Sequence, residues 1–380
     1  MRLTGLRRST HEADVVVAGS GLPPLVTALE LARRGARVIV AREDPAVAPP
    51  PLGLMLQGPG RPYAAVARAI SRPAAQVVWA AGCENHLRAK AFLQQAGRPC
   101  GFEARGSFLL ARDRRQAEEL EESEDLLRDD GFPGEFLDHF MLETRFDLSG
   151  FPAGYWAAGD AELDVSALDE ALRDAVGDAG VAFATGRLRG LRPEASSVRV
   201  ELETRSLTGA AAVVASDGPV AALVPELAPL VALATLARVS IPPLEGANLP
   251  TAVRTADGSM AWHSGGGEFL LAEIAPRPPG DAQALRELAT RLPLALAPTH
   301  RGPDVAPPEI LEESVEVSRD GLPLVGLLPG RPLAVACGFG RLSPGLAFAA
   351  ARWVADALLR GTDPTPDALR ATRAPGASAV

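Results

Sequence analysis

The sequence predicts an α/β fold built around a parallel sheet buried on both faces, and three stretches carry that prediction. DVVVAG at 14–19 and AAAVVAS at 210–216 are continuous apolar runs of strand length. Such runs suit strands covered on both sides, because a strand with one wet face alternates apolar and polar residues. PLAVACGFG at 332–340 is a third such run, and it leads into the helical stretch GLAFAAARWVADALLRG at 345–361.

The elements follow in order along the chain. After the first strand, Leu25, Ala28, Leu29 and Ala32 recur at helical spacing, with Glu30, Arg33 and Arg34 on the opposite face. Gly35 stops this helix and ARVIVA at 36–41 resumes strand character, so the opening reads as a βαβ unit. From Pro45 to Pro62 the density of Pro and Gly demands irregular chain. RRQAEELEESEDLLRDD at 114–130 reads as an exposed charged helix with a solvated face. SALDEALRDAVGDAG at 166–180 opens on a capping-box pattern from Ser166 to Asp169, ends at Gly180 and is followed by the strand VAFATG. The stretch 221–311 is broken by prolines and reads as short strands with one helix near 281–292 and a loop at 303–308. After Thr362 the chain is rich in Pro and Ala and reads as a frayed tail.

Composition bounds the function. With 380 residues, 47% hydrophobic and 22% charged, the chain is long enough for two domains with real cores and reads as a soluble globular protein. A net charge of -9 and a pI near 5.3 argue against a nucleic-acid partner, which would need a basic face. The first 13 residues lack an apolar signal core and no stretch reaches the roughly 18 apolar residues of a membrane span, so no membrane association is expected. The three cysteines lack CxxC spacing, which points to a reducing cytoplasm rather than to disulfides or zinc. The five histidines lack metal-ligand spacing, and neither a GxSxG elbow nor a P-loop is present. Metalloenzyme, hydrolase and NTPase readings drop out, and no metal is expected. Lys90 is the only lysine, so arginine is the default cation and any single Arg is weak evidence.

The turn between the first strand and its helix carries the most specific local chemistry. In a GxGxxG turn the first Gly permits a tight bend, the second lets backbone approach a diphosphate, and the third allows close helix-to-strand packing. Gly19 and Gly21 supply the first two, and Ser20, Gly21 and Leu22 offer backbone N–H groups. Pro24 takes the third position; proline is tolerated in the first helical turn, but Pro23 and Pro24 remove two donors, which predicts weakened phosphate binding. The end of the second strand, where such folds carry a ribose-binding acid, holds Arg42. Glu43 substitutes only if the strand end twists, since adjacent residues face opposite ways. Arg42 is either a partner for a 2′-phosphate or a solvent-exposed residue.

Beyond these local signals, SRDGLPLVGLLPG at 318–330, a strand, and GFGRLSPGLAFAAARWVADAL at 338–358 resemble the C-terminal signature of the D-amino-acid oxidase, glycine oxidase and sarcosine oxidase family of FAD-dependent amine oxidoreductases. GSFLLARD at 106–113, DAELDVSALDEAL at 160–172 and AAAVVASDG at 210–218 match that family's order of elements. The resemblance implies a discontinuous Rossmann-like FAD-binding domain from 1–75, 146–220 and 312–362. An inserted α+β substrate domain on a mixed sheet would come from 76–145 and 221–311, with a flexible tail at 363–380. FAD would lie on Gly19, Ser20, Gly21 and Leu22, with Arg42 and Glu43 near its ribose and Gly338, Phe339 and Gly340 against the flavin. Arg341 aligns with an arginine that binds substrate carboxylate in some relatives, a role suited to its bidentate fork. Val315 stands where the glycine-oxidase branch carries another arginine. The implied reaction is oxidation of an amine or amino acid by hydride transfer to the flavin, with the protein supplying binding and orientation.

The departures at Pro24, Arg42 and Val315 motivate a second reading: a catalytically silent member of the fold that acts as a binding or assembly subunit. An oligomer or a partner subunit is compatible with either. His263, beside a Gly-rich turn, is a weaker pocket candidate, Asp320 reads as a turn residue, and Cys337 reads as small buried core.

Overall fold

The computed structural model describes residues 12–42, 52–194, 196–241, 252–258, 260–265, 268–275, 310–340 and 342–374. Two large sheets form its frame. In the first, five parallel strands, Ala13–Ala18, Val38–Arg42, Ala182–Thr185, Ser206–Ala215 and Leu333–Cys337, lie in the spatial order third, second, first, fourth, fifth. That is the order of a doubly wound dinucleotide-binding sheet. Leu324–Leu327 closes one edge in antiparallel sense, and the hairpin of Leu188–Pro193 and Val198–Leu202 folds back from Ser206–Ala215.

The apolar runs are buried on both faces because the two faces meet different layers. Val15, Val17, Val213 and Ala215 join Leu25, Leu29, Leu168, Leu172 and Val354 in a core under the helices Leu22–Arg33, Val165–Asp178 and Ala347–Arg360. Val16, Ala18, Ala212 and Val214 face the other way, into a core with Val198, Val200, Leu202 and Leu227. Alternation of side chains along a strand makes this division, residue by residue.

The second sheet is mixed. Its order is Ile310–Ser318, Val231–Ile241, Glu268–Ala275, Met260–Gly265, Ala252–Thr255, Ser107–Leu110, Ala153–Ala157 and Glu135–Asp138, antiparallel except where Ala252–Thr255 runs parallel to Ser107–Leu110. Ala153–Ala157 and Ile310–Ser318 lie within segments, or at the edge of one, that the sequence assigns to the dinucleotide domain. Short alternating runs suit either sheet, and only long-range pairing assigns them. A two-stranded ribbon of Leu54–Met55 and Ala161–Glu162 crosses the seam, where Leu52, Leu54 and Leu56 pack against Leu236, Val315 and Val317 of the second sheet.

Three expectations change in detail. The helix read from Ser166 starts at Val165, capped by Asp164, whose carboxylate accepts the Ala167 N–H at 3.0 Å. An aspartate one residue ahead of the helix satisfies the orphan donor there, so the Ser166 capping box is superseded. The charged helix is Arg114–Asp129, and it is solvated on one side only: Leu120, Ser123 and Leu127 are buried, with Ser123 Oγ accepting the Ala64 N–H at 3.0 Å. The segment expected to fray is docked as far as residue 374. Leu369 is fully buried, Ala371 N–H donates to Val325 O at 2.9 Å, and Arg373 grips Asp320 through two bonds of 2.7 and 2.8 Å. A terminus is ordered when its backbone and side chains find partners, whatever its composition. Ending the chain at Thr362 should therefore cost about 2–4 kcal/mol, from one buried leucine and the loss of the Arg373 bonds; urea unfolding of the shortened chain checks this, and an unchanged midpoint would refute the docking.

The predicted helix near 281–292 and the loop at 303–308 lie outside the described residues. Among the described residues, no helix is long and apolar enough to cross a membrane.

Candidate functional site

The site forms where the parallel strands end. Gly19 follows the first strand with φ +149°, and a Cβ there would sit 1.8 Å from the Ala215 carbonyl oxygen of the neighbouring strand. Only glycine lets the chain turn this close to another backbone. Gly21, at φ +78°, precedes the helix Leu22–Arg33, whose first turn contains Pro23 and Pro24 without a break. Gly19, Ser20, Gly21 and Leu22 thus come together at the carboxyl ends of the strands, where ligands of open α/β sheets bind.

Asp217, which sequence reasoning passed over, stands at the mouth of this turn. It follows the strand Ser206–Ala215 and is 2% exposed. Its Oδ2 accepts the Leu22 N–H at 3.3 Å and the Ser343 hydroxyl at 2.9 Å. A Cβ on Gly21 would meet that same oxygen at 2.2 Å. The backbone around it is fixed: Asp217 N–H donates to Ser20 O at 3.0 Å, and Ser216 Oγ accepts from Ser20 N–H at 3.2 Å and Gly218 N–H at 3.0 Å. Further along, buried Glu316 accepts the Val220 and Ala221 N–H groups at 3.1 and 3.0 Å. Burial raises the Glu316 pKa, and these two amides hold it back. The available sequence signal for Asp217 was an acid set directly after a buried apolar strand.

Ser343 belongs to the C-terminal turn, so Asp217 ties the two ends of the chain together. In that turn Gly338 and Gly340 have φ +72° and +57°, while Phe339 is buried and bridges to Val317. The helix that follows, Ala347–Arg360, is capped from elsewhere. Asn85, fully buried on the helix Arg72–Ala96, accepts the Phe348 and Ala349 N–H groups at 2.8 and 3.2 Å and donates to Pro344 O at 2.7 Å.

Arg42 is not solvent-exposed. It is 5% exposed and its Nη2 lies 3.7 Å from Asp169 Oδ1 in the first turns of the helix Val165–Asp178. An arginine at the end of a buried strand is drawn to the nearest carboxylate, because an isolated buried charge is costly. Val315 is fully buried in the apolar cluster at the seam. Glu43 and Arg341 lie outside the described residues, and of His263 only the backbone, in the strand Met260–Gly265, is described.

A second polar group at the seam was also missed. Arg254, on the strand Ala252–Thr255, is 4% exposed. Its Nη2 lies 3.4 Å from Asp160 Oδ2 and 3.3 Å from Ser107 Oγ. Asp160 in turn accepts the Ser107 hydroxyl at 2.6 Å and the Gln57 N–H at 2.8 Å. Arg254 Nε and Nη1 have no hydrogen-bond acceptor among the described residues. Arg254 is one of the residues that line a cavity of about 30 Å³, together with Gly58, Gly60, Tyr63 and Trp79. A Cβ on Gly60 would lie 3.1 Å from Arg254 Nη1 and 3.3 Å from Leu342, which places the guanidinium beside the C-terminal turn. Burial pushes its pKa down and the Asp160 carboxylate opposes that push. A charged residue within an apolar strand was the legible signal, hidden by the general excess of arginine.

Against known proteins, the family described as FAD dependent oxidoreductase matches residues 14–357. No curated protein matches by sequence. Solved structures share the fold at low identity. Glycine oxidase from Geobacillus kaustophilus superposes with a TM-score of 0.75 at 21% identity, covering 96% of this chain and 100% of its own. L-proline dehydrogenase from P. horikoshii gives 0.70 at 17%, covering 94% and 96%. NikD, an unusual amino acid oxidase essential for nikkomycin biosynthesis, gives 0.71 at 18%, covering 98% and 99%. With a family match that runs through both sheets and both glycine turns, this chain belongs to the FAD dependent oxidoreductase family.

Proposed function

We propose that this protein oxidises an amino acid, with FAD as the hydride acceptor, and that its substrate domain selects for a carboxylate. The observation that carries the reading is the continuity of the family match from 14 to 357. It favours an enzyme over the alternative of a silent binding or assembly subunit. The named structural relatives include a glycine oxidase, a proline dehydrogenase and an amino acid oxidase.

The fit of FAD to this chain rests on the turn after the first strand. The tight bend at Gly19 and Gly21, the parallel strand ends and the intact helix suit a dinucleotide in shape, while the positions of the two missing Cβ atoms are taken by Ala215 O and the Asp217 carboxylate. The donor set is thinner than usual: Pro23 and Pro24 offer none, and the N–H groups of Gly19, Ser20 and Leu22 donate to Ala41 O, Ser216 Oγ and Asp217 Oδ2. Gly19, Ser20, Gly21 and Leu22 would hold the diphosphate end, and Gly338, Phe339 and Gly340 the flavin end. Bound FAD supplies the two-electron acceptor for a C–H bond next to nitrogen. The chain's own share is to bind and orient the substrate and to exclude water.

Arg254 is the residue we assign to the substrate carboxylate. A buried guanidinium with two uncommitted nitrogens is costly unless an acceptor arrives, and a carboxylate satisfies its fork. The apolar cluster of Leu54, Leu56, Leu236 and Val315 nearby would keep the reacting centre dry. Free Cys83, Cys100 and Cys337 support a reducing, cytoplasmic setting.

The test is anaerobic bleaching of FAD-loaded protein by neutral amino acids and by the matching amines without a carboxylate. Amino acids should bleach the flavin at lower concentration, and Arg254→Met should raise their half-bleaching concentration by about tenfold or more while leaving the amines unaffected. Equal bleaching by both classes, unchanged in Arg254→Met, would reduce Arg254 to a structural role solvated by a water in the 30 Å³ cavity.

A further inference from the structure

We infer that Asp217 is a resident anion in the dinucleotide site, competing with the cofactor's diphosphate for the N-terminus of the first helix, so that FAD is held weakly and exchangeably. The inference rests on the reading of this chain as an FAD-binding protein and goes beyond it.

A helix N-terminus attracts one anion because its first N–H groups have no intrahelical acceptor and carry the positive end of the helix dipole. Here the first three helical residues are Leu22, Pro23 and Pro24, so Leu22 holds the one N–H among them. Asp217 Oδ2 takes that N–H, and the same oxygen accepts the Ser343 hydroxyl from the C-terminal turn. The carboxylate is 2% exposed, so its hold on the helix is little screened by solvent. Nor is it loosely placed: Ser20 O holds its backbone N–H, Ser216 Oγ pins the residues on either side of the turn, and Glu316 clamps the amides of Val220 and Ala221. A diphosphate approaching Gly21 meets an oxygen that lies within 2.2 Å of where a Gly21 Cβ would be. It must either displace this carboxylate or lie beside it, and both oppose binding: the first gives up its bonds to Leu22 N–H and the Ser343 hydroxyl, the second sets two anionic groups side by side.

Titration of the purified, flavin-free protein with FAD, followed by flavin fluorescence, tests this. Asp217→Asn keeps the shape and removes the charge; Asp217→Ala removes both. The expected result is FAD affinity at least tenfold higher in Asp217→Asn than in the parent, and higher again in Asp217→Ala. Inorganic pyrophosphate should raise the melting temperature of Asp217→Ala and leave the parent unchanged, and circular dichroism of each variant establishes that it is folded. If the parent binds FAD stoichiometrically and Asp217→Asn binds equally or less tightly, the inference is overturned while the FAD reading stands, with Asp217 then part of the cofactor's own site. If none of the three folded proteins binds FAD, the FAD reading itself fails.

Discussion

Asn85→Ala should lower the stability of this protein by about 3–5 kcal/mol. One fully buried side chain accepts two N–H groups of the C-terminal helix and donates to the carbonyl of Pro344. Removing it strands three backbone groups away from water, at about 1–3 kcal/mol each, partly relieved if water enters the space. Asn85→Asp is a useful contrast: it keeps the acceptor at a helix N-terminus, where a carboxylate is favourable, and loses the donor facing Pro344 O. It should fall between the parent and Asn85→Ala. Urea unfolding gives the ranking, and an Asn85→Ala variant within about 1 kcal/mol of the parent would contradict a bond network of this kind.

Gly19→Ala should be more severe still, preventing recovery of folded protein or costing more than about 4 kcal/mol. The added methyl would lie 1.8 Å from Ala215 O and 2.7 Å from its carbonyl carbon. Both are backbone atoms of the adjacent strand, so no rotamer change relieves the clash and the sheet itself must part. The φ of +149° adds strain for any residue with a Cβ. Gly35→Ala separates the two causes: φ is +87°, yet nothing lies within 4 Å of the new methyl. Its expected cost is about 1 kcal/mol, from backbone strain alone. Thermal melts of the two variants compare steric exclusion with strain, and similar losses in both would mean that the approach of Gly19 to Ala215 does not matter.

Parts of this arrangement were legible in the residues because they depend on local physics. Continuous apolar runs at 14–19, 210–216 and 332–340 announced strands covered on both faces, and the glycines at 19 and 21 announced a bend too tight for a Cβ. Pro23 and Pro24 were correctly read as compatible with a first helical turn. What could not be read were pairings across long separations. Asp217 and Leu22 are 195 positions apart, Asp217 and Ser343 126, and Asn85 and Phe348 263. A single sequence carries no record of which distant donor a buried acid will find.

The same limit explains the misreadings. Arg42 was open between ligand and solvent until the fold brought Asp169 beside it, and Arg254 was one arginine among many until the second sheet set it against Asp160 and Ser107. The segment after Thr362 looked frayed by composition, yet Arg373 reaches Asp320 across 53 positions. The sequence by itself determined the strands, the glycine bends and the family, since apolar periodicity and steric need are written residue by residue. Tertiary structure alone decided which charges are buried together, because desolvation must be offset by whichever partner the fold delivers.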